Sequence, residues 1–243
     1  MISLGRSKTE RRTTTPPAHH LAARERLIVA LDVPSLAAAR QLVHILRPRI
    51  FWFKIGSILF TAAGPAAIAL VHRAGGNVFL DVKFHDIPST VARACVAARQ
   101  HQVQMLTLHV QGGQRMLHAA REAIAHPPPL LLGVTQLTSD AEVDDPAVVL
   151  SRVRAAQEAQ LDGLVVPPAF VARVRALCGQ RMRLVTAGIR SADGGRDDHT
   201  APLTPRAALR AGADFLVVGR PIVEARDPQA VVSAVLEEMR DAR

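Results

Sequence analysis

The chain has 243 residues, 49% of them hydrophobic, 21% charged and 3% aromatic, which describes one large domain with an aliphatic core and excludes a wholly disordered or collagen-like chain. No apolar run reaches the roughly 18 residues of a membrane span, and Cys95 and Cys178 have neither metal-ligand spacing nor the density of a disulfide scaffold; a cytoplasmic protein is expected. The formal charge of +9 raises nucleic acid as a partner, but Tyr is absent and the basic residues form no aromatic-basic stripe, so neither nucleic-acid nor membrane binding is expected. In chain order, residues 1–26 come first: six Lys/Arg stand against Glu10 and Glu25 in a Thr/Pro-rich stretch. The stretch has no apolar h-region, so it is not a secretory signal, and it reads as a disordered tail; an organellar presequence is the lesser alternative, because no amphipathic face is present.

From residue 27 onward, short β-rich runs alternate with Ala/Arg/Leu-rich stretches of helical period. The strands are predicted at 27–32, 51–55, 77–83, 104–110, 130–135, 162–167, 183–188 and 214–219. A helix follows each, as in SLAAARQLVHIL after the first. Before the last strand, Thr204 is a predicted N-cap, Pro205 a first-turn residue and Gly212 a stop. Eight such units over 27–243 predict a single-domain α/β fold, a (β/α)8 TIM barrel, with catalytic groups at the C-terminal ends of the strands. A doubly wound open sheet is the structural alternative.

Strand ends are therefore where chemistry is sought, and the richest is the stretch LDVKFHDIPSTV at 80–91. Alternation along a strand puts Asp81 and Lys83 on one face, opposite Val82, with both directed into the barrel mouth. Lys54 ends the neighbouring predicted strand, with Phe53 and Ile55 turned the other way. The result is a Lys-Asp-Lys cluster, which serves either as a structural ion pair or as a reactive site. Composition favours the second. Of 30 Lys and Arg residues only three are lysine, and the two inside the domain are Lys54 and Lys83; arginine covers surface ion pairing but cannot usefully give up its proton, whereas lysine can.

The Asp-x-Lys-x-x-Asp array of Asp81, Lys83 and Asp86, followed by Ile-Pro-x-Thr, resembles the signature of the orotidine 5'-phosphate decarboxylases. Further motifs of that family stand in its order: LDV at Asp32, FKIGSILF around Lys54, VTQLTS at 134–139, AGIR at 187–190 and LTPRAALRAGADFLVVGRPI at 203–222. The resemblance implies cofactor-free decarboxylation of orotidine 5'-phosphate to UMP and CO2 in pyrimidine synthesis, by a homodimer. It implies that Lys83 is the acid that protonates C6, with Asp81 beside it and Lys54 in the same charge chain, and that Asp86 and Thr90 reach into the partner subunit's site. It matches Asp32 to a ribose-hydroxyl ligand and Thr138 to a pyrimidine contact, although Asp before Val-Pro-Ser is also usual in a turn and Thr-Ser after a strand is also an ordinary helix cap.

Phosphate belongs at the last strand end, where Gly219 permits close backbone approach and Arg220 offers a planar fork, aided by Arg190. Arg190 opens the Gly/Asp-rich stretch 191–203, which reads as a lid over the phosphate. Within it His199 stands where the resembled family usually carries a bridging glutamine; the contact is expected in altered form. His109 ends a predicted strand as a support for the array, and His85 is expected to pack or hydrogen-bond locally. None of the ten histidines has metal-site spacing, so no metal is expected. Two rivals remain: a magnesium-dependent keto-gulonate-phosphate type decarboxylase or aldolase on the same kind of barrel, and a non-catalytic nucleotide- or RNA-binding barrel.

Overall fold

A computed structural model of the chain describes residues 21–135, 145–190 and 203–240. Its eight strands are β1 (Leu27–Ala30), β2 (Trp52–Gly56), β3 (Asn77–Phe84), β4 (Met105–His109), β5 (Leu130–Val134), β6 (Gly163–Val165), β7 (Arg183–Thr186) and β8 (Phe215–Val218). Each pairs in parallel with the next, and β1 pairs with β8 through Leu27↔Leu216, Ile28↔Val217 and Val29↔Val218. The sheet is closed, so the TIM barrel stands and the open-sheet alternative falls. Each observed strand lies within one residue of a predicted one or inside it, because every predicted run was a short apolar segment bounded by turn residues or charge.

The strands' two faces serve two cores. Outward-facing Val29, Phe53, Ile55, Val78, Leu80, Leu106 and Leu164 pack beneath the helices, whereas Ile28, Ala30, Phe79, Met105, Leu132, Val185, Phe215 and Val217 fill the barrel interior. The helices are α1 (Ala23–Arg26), α2 (Leu36–Leu46), α3 (Ser57–Ala63), α4 (Pro65–Arg73), α5 (Pro88–Gln100), α6 (Gly113–Ala123), α7 (Pro146–Glu158), α8 (Val171–Cys178), α9 (Pro205–Arg210), α10 (Arg220–Val223) and α11 (Pro228–Arg240). Their starts follow the sequence closely. Ser35 caps α2 by accepting the Ala38 N–H, and Thr204 caps α9 by accepting that of Ala207, both at 3.2 Å. Of the expected tail, residues 1–20 lie outside the described residues. Residues 23–26 form the helical turn α1, and Arg26 donates to the carbonyls of Asp214 and Ala213 at 2.9 and 2.7 Å, so the last part of that segment belongs to the folded unit.

At the N-terminal ends of the strands a repeated clamp closes the bottom of the barrel. Gln104, Asp162 and Asp214 each stand immediately before an even-numbered strand and accept a backbone N–H from the strand before it, those of Val78, Leu131 and Leu184 at 2.6, 2.8 and 2.7 Å. Arg121 of α6 pairs with Asp162 at 2.9 Å, and Arg175 of α8 with Asp214 at 2.6 Å. The buried carboxylate of Asp214 and the half-buried one of Asp162 are tolerated here because each has an arginine and a backbone donor. The opposite end of the barrel is left free for the charged strand ends.

Candidate active site

Four charges of alternating sign run in a row across the mouth of the barrel at β1, β2 and β3. Lys54 Nζ lies 3.0 Å from Asp32 Oδ1 and 3.5 Å from Asp81 Oδ2, and Lys83 Nζ lies 3.0 Å from Asp81 Oδ1. The row is graded in depth: side-chain exposure is 35% at Asp32, 11% at Lys54 and Asp81, and 32% at Lys83. Burial alone opposes charge on both central groups. It pushes the Lys54 ammonium down, but the Asp81 and Asp32 carboxylates outweigh it and hold that group above its ordinary value. It pushes Asp81 up, but Lys54 and Lys83, with the Thr107 hydroxyl, hold the carboxyl below its ordinary value. The two central charges, Lys54 and Asp81, are thus kept ionised by their neighbours.

The row depends on two local features that sequence pattern does not reveal. Pairing of β3 with β4 skips from Leu80↔Leu106 to Phe84↔Leu108, a bulge opposite Thr107, and within it Lys83 adopts φ 51°. A left-handed conformation at a non-glycine residue costs on the order of 1–3 kcal/mol and persists only where neighbours hold it. Here the Lys83 N–H donates to Thr107 Oγ1 at 2.9 Å, and that hydroxyl donates to Asp81 Oδ1 at 3.1 Å. The second feature is Gly56, where an added Cβ would lie 2.8 Å from Lys54 Nζ and 2.9 Å from Asp32 Oδ1; glycine leaves room for that ion pair without either side chain shifting. Neither residue was singled out from sequence. The one available signal for Thr107 was its phase, two residues before His109 on the strand beside β3.

The remaining expected residues are placed differently from one another. Gly219 shares the mouth, since a Cβ there would come within 3.7 Å of Asp32 Oδ2, and Arg220 follows it as the first residue of α10. Arg190 follows β7; its N–H donates to the Leu203 carbonyl at 3.1 Å, and Ile189 bridges to Leu203, so the two ends of the segment expected to form a lid are joined. Asp86 and Thr90, by contrast, are exposed, as is Ile87 at 63%. Asp86 accepts the Ile87 N–H at 2.6 Å and makes none of the ion pairs recorded among the described residues. Thr138, His199 and the lid stretch 191–202 lie outside the described residues. His85 and His109 face each other with ring centroids 5.6 Å apart. Among the described residues no group of three or more His, Cys, Asp or Glu side chains is placed to hold a metal ion.

A closed parallel barrel with ionised side chains gathered at the C-terminal ends of its strands is the architecture of a (β/α)8 barrel enzyme. The chain belongs to the orotidine 5'-phosphate decarboxylase / HUMPS family, whose model matches residues 25–235. It is 44% identical to the orotidine 5'-phosphate decarboxylase of Moorella thermoacetica, over 89% of this chain and 93% of the relative. It is 45% identical to that of Laribacter hongkongensis, over 86% and 90%. The crystal structure of orotidine 5'-phosphate decarboxylase from Lactobacillus acidophilus superposes with a TM-score of 0.73 at 32% identity, covering 88% of this chain and 99% of that one.

Proposed function

We propose that this chain decarboxylates orotidine 5'-phosphate to UMP and CO2, with the Lys83 ammonium as the proton donor. The observation that carries the reading is the row Asp32, Lys54, Asp81 and Lys83 at the barrel mouth, in a chain whose relatives bear the name of that enzyme. In the reaction the bond between C6 and the carboxylate carbon breaks and its electron pair stays on C6, in the plane of the ring. Lys83 then delivers a proton to C6, leaving a neutral amine that regains a proton from water. The chemistry needs a fixed cation where that charge develops, and Asp81, bonded to both lysines, holds one there.

Magnitude shows what else the site must supply. An ammonium about 4 Å from a developing unit charge contributes about 4 kcal/mol at an effective dielectric near 20, against the roughly 8–23 kcal/mol by which enzymes lower barriers. Lys83 alone is insufficient. Binding energy from parts of the substrate that do not react makes up the difference. On this reading Arg220, Gly219 and Arg190 take the phosphate, Asp32 accepts from the ribose hydroxyls, and Thr138 and His199 contact the pyrimidine and phosphate from segments outside the described residues. Asp86 and Thr90 complete the site of a second subunit, which is supported by their exposure beside the exposed Ile87 and by the lack of an ion pair at Asp86 among the described residues. The cytoplasmic location is supported by the two free, buried cysteines. No helix among the described residues is long and apolar enough to cross a membrane.

Incubation of purified protein with orotidine 5'-phosphate, followed by the fall in absorbance as UMP forms, tests the reading. Turnover that survives a chelator and disappears in Lys83→Ala is expected. No turnover in the wild type, or a wild-type rate in Lys83→Ala, would overturn it, and loss of activity to the chelator would point instead to a magnesium-dependent enzyme. Mixing Lys83→Ala with Asp86→Ala subunits tests the shared site: hybrids carry one intact site, so activity should return, and subunit exchange without recovery would refute the sharing.

A further inference from the structure

We infer that Thr107 is the positioning residue for proton transfer, its single hydroxyl fixing both the bulged backbone of Lys83 and the carboxylate of Asp81, and so the place to which the Lys83 ammonium is directed. The inference rests on the reading of Lys83 as the donor. A hydroxyl has one proton and two lone pairs, and at Thr107 both capacities are spent on the charge row. It accepts the Lys83 N–H at 2.9 Å and donates to Asp81 Oδ1 at 3.1 Å. The geometry is specific to this threonine. The other two buried threonines among the described residues, Thr135 and Thr186, donate their hydroxyl protons to the backbone carbonyls of Val165 and Val166, tying strand ends together, and not to a carboxylate.

A positioning device is needed at this point because Lys83 is a long side chain, one-third exposed, and Asp81 is the one ion-pair partner recorded for it among the described residues. Where its ammonium sits is set by its own backbone and by Asp81. The backbone has left the regular ladder, since the register jumps across the bulge and φ is positive; the Thr107 oxygen stands in for the ladder acceptor that the bulge removes. Asp81 Oδ1 is shared between the Lys83 ammonium and the Thr107 proton. One side chain on β4 therefore determines both ends of the lysine. Thr107 itself is fully buried, so it acts through Lys83 and Asp81 and not on the substrate.

Replacement of Thr107 by the isosteric Val removes the hydroxyl and keeps the volume. Misplacement of a reacting group by about 1 Å is worth up to about 100-fold in rate, so Thr107→Val should lower kcat by about 10- to 100-fold while KM stays within about threefold. Thr107→Ser, which keeps the hydroxyl and loses the methyl, should recover most of that loss. A purely structural role predicts the reverse order of severity or equal effects from Ser and Val, and either result would overturn the inference, as would a wild-type kcat in Thr107→Val. If the valine variant does not fold, as judged by circular dichroism, Thr107→Ala compared with Thr107→Ser decides in the same way, because both lose the methyl packing and only Ala loses the hydroxyl. Lys83→Ala is assayed beside them. A wild-type rate there overturns the donor reading and this inference together, whereas an inactive Lys83→Ala with a wild-type Thr107→Val overturns this inference alone.

Discussion

At Gly56 the absence of a single carbon decides whether two charges can meet. Real Cβ atoms essentially never come within 3.0 Å of a heavy atom beyond their own residue and its chain neighbours, and a Cβ at residue 56 would lie 2.8 Å from Lys54 Nζ and 2.9 Å from Asp32 Oδ1. A free lysine would swing aside at little cost, but Lys54 is buried and also held by Asp81, so the weaker-held and more exposed Asp32 must move. Gly56→Ala is therefore expected to lower kcat/KM by about 10-fold or more with an unchanged circular dichroism spectrum; wild-type kinetics would show that the Lys54 to Asp32 pair is dispensable. This residue and Thr107 mark the limit of sequence reading. Asp81 and Lys83 stand out because charge at the end of an apolar strand is rare and alternation assigns it a face. Thr107 does not, because threonine is an ordinary strand residue, and only the bulge in β3 gives its hydroxyl a charged neighbour. That bulge has no sequence mark, since alternation treats 77–83 as one regular strand.

The strands themselves were legible because β-branched and aliphatic runs of three to eight residues, spaced by amphipathic helices, leave few ways to pair. The pattern could not show that the ends meet, since an open sheet repeats the same unit, and closure is seen only in the pairing of β1 with β8. Equally hidden was the clamp at the strand starts, because Arg121 and Asp162, and Arg175 and Asp214, are some forty residues apart and look like surface charges. The two clamps should differ in strength. Side-chain exposure is 12% and 9% in the Arg175 and Asp214 pair, against 15% and 20% in the Arg121 and Asp162 pair. Breaking a buried pair from one side leaves the other charge uncompensated and costs about 3–5 kcal/mol, so Asp214→Ala should lower Tm by roughly 10 °C or more, and Asp162→Ala by less. Since the clamp lies at the end of the barrel away from the charge row, activity per folded molecule should persist in both. A smaller effect at Asp214 than at Asp162 would contradict the argument from burial.

Over the whole molecule, the unusual balance of basic residues makes the alkaline side of the stability curve readable. With three lysines and no tyrosine, few groups titrate between pH 9 and 12, and arginine does not. Cys95, fully buried on α5, has its thiol pushed up by burial from 9.0 to about 12, with Arg121 opposing weakly. A group whose pKa is higher folded than unfolded contributes stability that is complete below the unfolded value and is lost as pH rises through the folded one. Cys95 should therefore withdraw stability from pH 9 upward, at a limiting slope of about 1.4 kcal/mol per pH unit. Lys54, raised above 10.5 by Asp81 and Asp32 once burial is overcome, adds to the loss only above that value. Cys95→Ala removes the first contribution and leaves the second. At pH 7 the variant should be less stable than the wild type by about 1 kcal/mol, the cost of a small cavity, but its stability should stay flat between pH 9 and 10.5 apart from the contribution of Cys178, whose thiol burial also raises. The urea-unfolding curves of the two proteins should therefore converge and cross as pH rises past about 10. Parallel curves over that range would mean that the Cys95 thiol ionises as readily in the folded barrel as in the unfolded chain, and that burial on α5 does not govern it.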